Sequence, residues 1–229
     1  MTDHKLPNHV AIVMDGNGRW ATNKGKTRSK GHRQGKETLK TIVAECLQLK
    51  IPYLSVFAFS SENWGRPNSE VKSLLNLFLT ALNNESRELA QNGVRLTFFG
   101  DLSKFSQTLK KLIDSAEKIT CDNHQLRLNV AINYGGRWDI VNAAKKLSNK
   151  MKMITEKTFS QELCFANSPE VDLFIRTGNE QRVSNFMLWQ IAYAEMYFCN
   201  VLWPDFNAQE FHKALKWFTN RERRFGKIN

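Results

Sequence analysis

A carboxylate, two glycines and an arginine follow a short apolar run near the start of the chain. The run spans residues 9–14 and ends at Asp15, which Gly16, Gly18 and Arg19 follow closely. Glycine lets a backbone approach a ligand, and amides at a helix start favour anions. A carboxylate beside an anion site is useful when a divalent cation bridges the two, so this stretch predicts diphosphate chemistry with Mg²⁺. The alternative is an ordinary strand–turn–helix that Asp15 caps.

Three further apolar runs end in polar segments. These are residues 60–64 (SSENW), 133–137 (NYGGR) and 176–178 (RTG). The carboxyl ends of parallel strands meet at one edge of a sheet, where ligands collect. Four polar strand ends are harder to explain by packing than one would be, so the sequence predicts an active site at this edge.

The elements that must position these residues alternate along the chain. Strands are expected at residues 9–14, 53–60, 94–99, 126–133, 171–176 and 195–202, and helices at residues 31–49, 69–92, 103–119, 138–149, 184–194 and 208–218. This alternation is typical of an α/β fold with a mostly parallel central sheet flanked by helices. No repeat or proline-rich linker interrupts it, so we expect one domain over residues 1–229.

The composition excludes several classes of protein. Of the 229 residues, 41% are hydrophobic, which is enough for a sizeable core, yet no apolar run is long enough to span a membrane. The N-terminal residues lack an apolar signal region, so we expect a cytoplasmic protein. The four cysteines form no CxxC pair, which argues against disulfides and a zinc cluster.

The net charge of +11 indicates anionic partners, which are nucleic acid, an anionic membrane surface or phosphorylated small molecules. Residues 15–36 contain seven Lys or Arg and one acid, and Arg221, Arg223, Arg224 and Lys227 form a second basic cluster. Solvated surface is the simpler interpretation of the lysines. Arginines beside glycine turns are better candidates for phosphate contacts, because one guanidinium can pair with two oxygens.

One predicted helix is apolar over most of its circumference between residues 71 and 82. A single core-facing stripe would be narrower. The helix is therefore either buried on two sides, or it packs on the sheet with one side and lines an apolar cavity with the other. A cavity beside an anionic head-group site would suit a lipid tail.

Five segments, in this order and spacing, resemble the motifs of the cis-prenyltransferase family. They are HVAIVMDGNGRWA, FAFSSENWGRP, NYGGRWDI, DLFIRTGNEQRVSNFMLWQIAYAEMYF and LWPDF. The resemblance extends from about residue 9 to residue 225, and it is greatest to the bacterial members. The DDxxD motifs of the trans-type prenyl synthases do not occur.

The resemblance implies an enzyme that condenses isopentenyl diphosphate repeatedly onto an allylic primer, in most members farnesyl diphosphate, with Mg²⁺ as cofactor. The product of the bacterial members is undecaprenyl diphosphate, the precursor of the cell-wall lipid carrier. The implied fold is a parallel-sheet domain with a hydrophobic tunnel for the growing chain, assembled as a homodimer. We expect no nucleic-acid partner, and transient contact with the inner face of the membrane when product is released.

The resemblance also implies roles for single residues. Asp15 matches the catalytic aspartate that holds Mg²⁺ as the diphosphate leaves. The residues that match the primer-diphosphate site are Gly16, Asn17, Gly18, Arg19, Trp20, Arg28 and His32. Trp20 could instead lie in the core. His32, a lone histidine in a basic stretch, could instead be solvated at the surface.

A second matched segment is the SSENWxRP loop, which would close over the site, orient both substrates and exclude water. Its matched residues are Ser60, Ser61, Glu62, Asn63, Trp64 and Arg66. Asn63 matches the residue nearest the proton lost from isopentenyl diphosphate. Because a neutral amide is a poor base, we expect Asn63 to position the substrate while diphosphate or another group accepts the proton. The alternative for Trp64 is packing of the loop.

A third set matches the isopentenyl diphosphate site and comprises Arg176, Arg182, Val183 and Ser184. With Ser184 at the start of the predicted helix 184–194, the arginines and the hydroxyl would form a diphosphate cradle. Glu195 matches a second Mg²⁺ ligand, which the other subunit could supply. The alternative is a buried acid paired with an arginine. The family has a histidine where Gln181 stands here, and a glutamine cannot titrate in its place.

The tunnel wall is expected at Ala58, at residues 71–82, and at Leu126 and Leu128. Three other functions stay open on the sequence. One is a synthase with a different primer or a shorter product. Another is a non-catalytic family member, which would be expected to lack Asp15 or the SSEN segment. The last is a basic nucleic-acid-binding domain, which would carry its aromatics on an exposed platform.

Overall fold

The fold is built on a six-stranded sheet, seen in a computed structural model that describes residues 6–151 and 153–221. The strands are β1 (His9–Val13), β2 (Tyr53–Ser60), β3 (Val94–Phe99), β4 (Leu126–Tyr134), β5 (Leu173–Arg176) and β6 (Glu195–Phe198). Their order is β3-β4-β2-β1-β5-β6, and every neighbouring pair is parallel. All six predicted strands are present, although β5 and β6 are shorter than expected.

Seven α-helices connect or follow the strands in the described part of the chain. They are α1 (Asn17–Asn23), α2 (Arg28–Gln48), α3 (Asn68–Gln91), α4 (Gln107–Thr120), α5 (Gly136–Asn149), α6 (Glu156–Ser160) and α7 (Ala208–Thr219). Short 3-10 helices lie at Ser61–Gly65, Leu102–Lys104 and Trp203–Asp205. The sequence predicted five of the seven helices. It missed the short helices α1 and α6.

Both faces of the sheet are covered, which is why β1 is buried along its whole length. Val10 and Ile12 face the larger core, which contains buried side chains of α2, α3, α4 and α7. Ala11 and Val13 point to the opposite face, into a core formed with aromatic residues such as Phe174. This two-sided burial confirms the predicted α/β class with a parallel sheet.

The predicted helix 184–194 is wrong. Residues 184–193 form a series of turns, and Ser184, Asn185 and Met187 have φ values of 48°, 64° and 46°. These left-handed conformations cannot continue a right-handed helix. Tertiary contacts impose them, since Ser184 Oγ accepts a hydrogen bond from Arg176 and the side chain of Met187 is fully buried.

Within the described residues, none of the helices combines the length and the hydropathy that a membrane span requires. Of the C-terminal basic cluster, Arg221 is described, whereas Arg223, Arg224 and Lys227 lie outside the described residues.

Candidate active site

The carboxyl ends of β1, β2 and β5 bring the predicted residues to one edge of the sheet. Val13 pairs with Arg176 in the register of β1 and β5, so Asp15 follows its strand beside the end of β5. Ser60 ends β2 on the other side of β1. The convergence of these strand ends, expected from the pattern of the sequence, is present in the structure.

Asp15 lies between two guanidinium groups. Its Oδ2 atom is 2.9 Å from Nη2 of Arg176, and its Oδ1 atom is 3.2 Å from Nη2 of Arg19. The Asp15 side chain keeps 30% of its surface exposed, whereas that of Arg176 keeps only 4%. Thr177 fixes the backbone of Asp15 through bonds to both its N–H and its C=O. The carboxylate is thus held rigidly but is open to the edge of the sheet.

Arg176 organises the loop that follows it. Its Nη1 atom donates to the carbonyl of Arg182 at 2.5 Å and to Oγ of Ser184 at 2.6 Å. The Nε atom is buried and has no hydrogen-bond partner. A buried N–H without a partner is rare in folded proteins and indicates that the site takes a further polar ligand.

Two glycines let α1 begin directly at this edge. Gly16 has a φ of 108°, and a Cβ there would lie 2.8 Å from a side-chain carbon of Leu202. At Gly18 a Cβ would collide with the guanidinium of Arg28, 2.8 Å away. The first N–H groups of α1 lack helical partners, as at any helix start, and they adjoin Asp15.

Glu70 is a site residue that the sequence analysis missed. It lies in the first turn of α3 and binds Arg28 (Nε–Oε2, 3.0 Å) and Arg66 (Nη1–Oε1, 3.0 Å). Burial alone would raise the pKa of Glu70, but the two arginines outweigh it and hold the pKa below its usual value. An acid three residues after a proline is typical of a helix start, so nothing in the sequence indicated that Glu70 binds two arginines.

His32 on α2 is a neutral ring at this site. Burial lowers its pKa, and the nearby charge of Glu70 offsets this only in part. His32 Nε2 lies 3.5 Å from Glu70 Oε1, at the outer limit of hydrogen-bond distance, and forms no hydrogen bond there. His32 Nε2 is a second buried polar atom without a partner at this edge.

The SSENW segment forms the 3-10 helix Ser61–Gly65 at the end of β2. The amide oxygen of Asn63 accepts a hydrogen bond from the Ser60 N–H at 3.2 Å. Its NH₂ group is a donor that Asn63 can offer a substrate. Trp64 donates to Asn133 at 2.8 Å and packs against aromatic rings, so loop packing describes its side chain.

Asn185 is a second residue that the sequence analysis did not single out. Its Nδ2 atom donates to Glu62 at 2.9 Å, and its Oδ1 atom accepts from the backbone of Arg137. The hydrogen bond from Asn185 helps to lower the pKa of Glu62 against the effect of burial. This contact joins the SSENW segment to the loop that Arg176 holds.

These side chains surround a polar cavity of about 580 Å³ at the edge of the sheet, the rim cavity. Of the predicted site residues, its lining includes Asp15, Gly16, Asn17, Gly18, Arg19, Arg28, His32, Ser60, Glu62, Asn63, Arg66, Arg176 and Ser184. The structure thus brings together residues from three separate motifs.

Six predicted site residues do not line the rim cavity: Trp20, Ser61, Trp64, Arg182, Val183 and Glu195. Trp20 is buried and donates its ring N–H to Asp205 at 2.7 Å, so its core alternative describes it. Arg182 forms an ion pair with Glu180 and contributes its carbonyl to Arg176. Val183 packs against the second core.

Glu195 lies away from Asp15 within one chain. It is the first residue of β6 and pairs with Leu173, near the opposite edge of the sheet. Its Oε2 atom is 3.1 Å from Nε of Arg221. This contact fits the alternative in which Glu195 pairs with an arginine. A metal role for Glu195 would require a second chain.

A second cavity of about 170 Å³ adjoins the first and is almost wholly apolar, the tail cavity. The sheet forms its floor, and α2 and α3 form its walls. Seven of the residues expected at the tunnel wall line this cavity: Ala58, Leu74, Leu77, Phe78, Ala81, Leu82 and Leu128. Leu126 does not line it, because this side chain is fully buried in the core.

The rim cavity and the tail cavity meet. Five residues line both: Met14, Asn17, His32, Ala58 and Leu74. A molecule with an anionic head and an apolar tail could therefore occupy the two spaces together. The wide apolar surface of α3 is explained by this cavity.

The residues at the rim fit a bound Mg²⁺ that also contacts a substrate. Mg²⁺ prefers oxygen ligands and is commonly held by one or two carboxylates together with substrate phosphates and water. Asp15 supplies one partly exposed carboxylate of this kind. Within residues 6–151 and 153–221, no group of three His, Cys, Asp or Glu side chains is arranged to hold a metal by itself.

Fold and site together define a class of protein: an α/β protein that binds a diphosphate-like head at a sheet edge and an apolar tail in an adjoining cavity. A family model described as "Putative undecaprenyl diphosphate synthase" matches residues 13–226. The chain belongs to this prenyltransferase family, which confirms the predicted family.

Curated relatives match over nearly the whole chain. A protein of Legionella pneumophila (strain Paris) is 53% identical, over 99% of this chain and 98% of the relative. One from Shewanella oneidensis is 51% identical, over 99% of this chain and 85% of the relative. Both are named ditrans,polycis-undecaprenyl-diphosphate synthase ((2E,6E)-farnesyl-diphosphate specific).

Two solved structures share the fold. A probable undecaprenyl diphosphate synthase from Campylobacter jejuni is 38% identical with a TM-score of 0.84. The lavandulyl diphosphate synthase of Lavandula x intermedia, in complex with dimethylallyl diphosphate, is 36% identical with a TM-score of 0.93. Each match covers 97% of this chain and 99% of the other. The predicted cis-prenyltransferase fold is thereby confirmed.

Proposed function

We propose that this chain is a Mg²⁺-dependent cis-prenyltransferase that condenses isopentenyl diphosphate repeatedly onto farnesyl diphosphate. The product is undecaprenyl diphosphate, the precursor of the cell-wall lipid carrier. The observation that carries this proposal is the junction of the rim cavity with the tail cavity, where Ala58 and Leu74 line both. The names of the close relatives support the same substrates.

The primer diphosphate binds at the start of α1 and beside Arg19, Arg28 and His32. Asp15 would hold Mg²⁺ together with the diphosphate oxygens. When bound there, the ion stabilises the negative charge that develops on the departing diphosphate. Arg19 and Arg28 add positive charge that is already oriented, because carboxylates hold both guanidinium groups in place.

Isopentenyl diphosphate binds on the β5 side of the rim. Arg176 and Ser184 face this space and would pair with its diphosphate. Arg182 and Val183 support the loop from outside the cavity, and Ser61 and Trp64 support the opposite side. Glu195 contributes to an ion only from the second subunit of a homodimer.

The 3-10 helix Ser61–Gly65 serves as the lid. Water would quench the allylic cation that forms when the primer ionises, so the site must close over both substrates. The bond between Glu62 and Asn185 links this lid to the isopentenyl side. Closure therefore depends on the loop that carries Ser184.

The proton lost from isopentenyl diphosphate passes to a diphosphate oxygen rather than to Asn63. The Asn63 amide oxygen already accepts the Ser60 N–H, and a neutral amide is a weak base. Asn63 instead donates its NH₂ to the substrate and fixes its orientation. Asn63 is in this sense a positioning residue.

We propose further that residues 1–229 act as one catalytic domain in the cytoplasm and that the protein meets the membrane only transiently, when it releases product. The product tail is too apolar to leave into water, and the net charge of +11 favours an anionic surface.

The test is incubation of the purified protein with radiolabelled isopentenyl diphosphate, farnesyl diphosphate and Mg²⁺, followed by butanol extraction and chromatography. We expect labelled long-chain product from the wild type and none from Asp15→Ala. Short products alone would favour a synthase of different product length. Absence of product would favour the non-catalytic alternative, and a shift of labelled oligonucleotide in a gel would favour the nucleic-acid alternative.

A further inference from the structure

Part of the wall of the tail cavity is charged. Nearly all of its lining is hydrophobic, yet Lys36 and Lys40 of α2 and Glu85 of α3 also border it. Glu85 follows Leu74 by 11 residues, which places it about 16 Å further along α3 from the junction with the rim. Glu85 therefore borders the half of the cavity that is remote from the diphosphate site, and the long side chains of Lys36 and Lys40 reach it there. These three charged residues are the α2–α3 charge cluster.

The cluster ties α2 to α3 by direct ion pairs. Lys36 Nζ lies 2.5 Å from Glu85 Oε1, and Lys40 Nζ lies 3.2 Å from the same oxygen. The Glu85 side chain is 14% exposed and that of Lys36 is 24% exposed, so the contact is largely sheltered from water. The hydrogen bond to Glu85 raises the pKa of Lys36, which keeps the ammonium charged.

A second tie joins the same helices at the rim. Ser29 and Ser73 are 2.7 Å apart between their hydroxyl oxygens, and Arg28 binds Glu70. Between the two ties, α3 presents apolar side chains to the cavity, among them the half-buried Leu77 and Phe78. The two helices are thus joined along their seam by polar contacts at two levels, with apolar side chains between them.

The space that this seam encloses is too small for the proposed product. A cavity of roughly 150 Å³ accommodates a ligand the size of benzene, and the tail cavity measures about 170 Å³. A long polyprenyl tail must therefore widen the seam as it grows. When the tail reaches Lys36 and Glu85, further growth must separate or bury charged groups, which costs free energy.

We infer that the α2–α3 charge cluster determines product length, because it resists the advance of the tail along α3. Lys36 and Glu85 are specificity-determining residues, and Lys40 reinforces them. The inference rests on the proposed function and deepens it. It concerns residues that lie outside the rim cavity, where the diphosphates bind.

The experiment compares wild type with Lys36→Met, Glu85→Gln and the double variant. Each is given labelled isopentenyl diphosphate, farnesyl diphosphate and Mg²⁺, and products are resolved by chain length. We expect both single variants to shift the main product to longer chains by at least one isoprene unit. The kcat/KM of the first condensation, measured at limiting isopentenyl diphosphate, is compared with the rate of elongation, because a role in chain length predicts the larger effect on elongation.

The double variant tests whether the two residues act as a pair. Both substitutions break the Lys36–Glu85 ion pair, although Lys36→Met also removes a 3.1 Å contact with Glu37 and Glu85→Gln also removes the contact with Lys40. The double variant should therefore lengthen the product by less than the sum of the two single shifts. Lys40→Met removes only the 3.2 Å contact and should give a smaller shift in the same direction. The matched control is Lys213→Met, which removes an exposed pair with Glu210 on α7 and should leave product length unchanged.

Unchanged or shorter products from the folded variants would overturn the inference, as would additive shifts in the double variant. Equal losses in the first condensation and in elongation, without a change of length, would mean a structural role and would also overturn it. If the wild type itself forms no prenyl product, the proposed function falls and this inference falls with it. Thermal unfolding of each variant identifies any that do not fold. If Lys36→Met or Glu85→Gln does not fold, the product length of Lys40→Met decides whether the inference holds.

Discussion

Arg176 and Asp15 are joined by a 2.9 Å ion pair that connects the ends of the two adjacent strands β5 and β1. The same guanidinium also binds Ser184 and the carbonyl of Arg182. One buried side chain therefore fixes the carboxylate proposed to hold Mg²⁺ and the loop proposed to bind isopentenyl diphosphate. Arginine suits this position because its planar group offers several donors in fixed directions.

Arg176→Lys should distinguish the contribution of the positive charge from that of the guanidinium geometry. Lys keeps the positive charge but cannot bind Asp15, Ser184 and the Arg182 carbonyl at the same time. We expect kcat/KM for isopentenyl diphosphate to fall roughly 100-fold, comparable to the loss of one oriented donor in other active sites. Steady-state kinetics measures this. The control is Arg127→Lys at the start of β4, which should change little. An Arg176→Lys enzyme with wild-type kinetics would refute the geometric role.

Glu70→Gln should weaken catalysis although Glu70 is not expected to touch the reacting atoms. The substitution removes the carboxylate that holds Arg28 and Arg66 toward the rim. We expect kcat/KM to fall about ten-fold or more, since small misplacements of binding groups are costly. Rescue in Glu70→Asp, which keeps the charge, would support positioning by ion pairs. Activity in Glu70→Gln equal to that of the wild type would contradict it.

Ala58→Leu should shorten the product. Ala58 borders both cavities, so a larger side chain there enters the passage between head and tail. We expect a shift to shorter chains on chromatography, which is opposite in sign to the shift expected for Lys36→Met. The matched control is Ala144→Leu, at a half-buried position of α5 on the other side of the sheet. Full-length product from Ala58→Leu would place the tail elsewhere.

His9 should make stability depend on pH. The ring is fully buried, contacts Ser55 Oγ and the Pro169 carbonyl, and burial lowers its pKa from 6.5 to about 4. Between these two pKa values the unfolded chain binds a proton that the folded ring does not, so acid favours unfolding there. Above pH 6.5 the group has no effect. We expect a loss of about 2 kcal/mol between about pH 7 and about pH 5.

Urea unfolding of the wild type and of His9→Gln at both pH values measures this contribution. The variant lacks the titrating ring, so it should be less stable at the higher pH but should lose less on acidification. The difference between the two pH dependences belongs to His9. Equal losses in both proteins would show that the ring does not titrate in this range.

Local patterns predicted most of the fold because the deciding interactions are close in sequence. The buried parallel strands appear as short apolar runs, and β1 is the clearest example. The breadth of the apolar surface on α3 left two possibilities open, burial on two sides or a cavity, and the structure shows the cavity. Residues 184–194 defeated the same reasoning, since the helical pattern there is overridden by the hydrogen bonds of Ser184 with Arg176 at the end of β5 and of Asn185 with the Arg137 backbone in α5.

The candidate site was predictable only where motifs mark it. Asp15, Arg19 and Arg176 were found in this way, and the structure brings them together. Glu70 and Asn185 were not found, because their importance lies in partners that are 42 and 123 residues away in sequence. The sequence analysis favoured a contact for Trp20 because a motif residue does not reveal which way its side chain points.

The junction of the two cavities links traits that would otherwise vary separately. Met14, Ala58 and Leu74 border both the rim cavity and the tail cavity, so we expect a substitution at one of them to alter affinity for the primer and product length together. An enzyme that evolves a new product length and keeps the same primer must therefore change residues further along α3. The far half of that helix is where divergence among such enzymes would be tolerated.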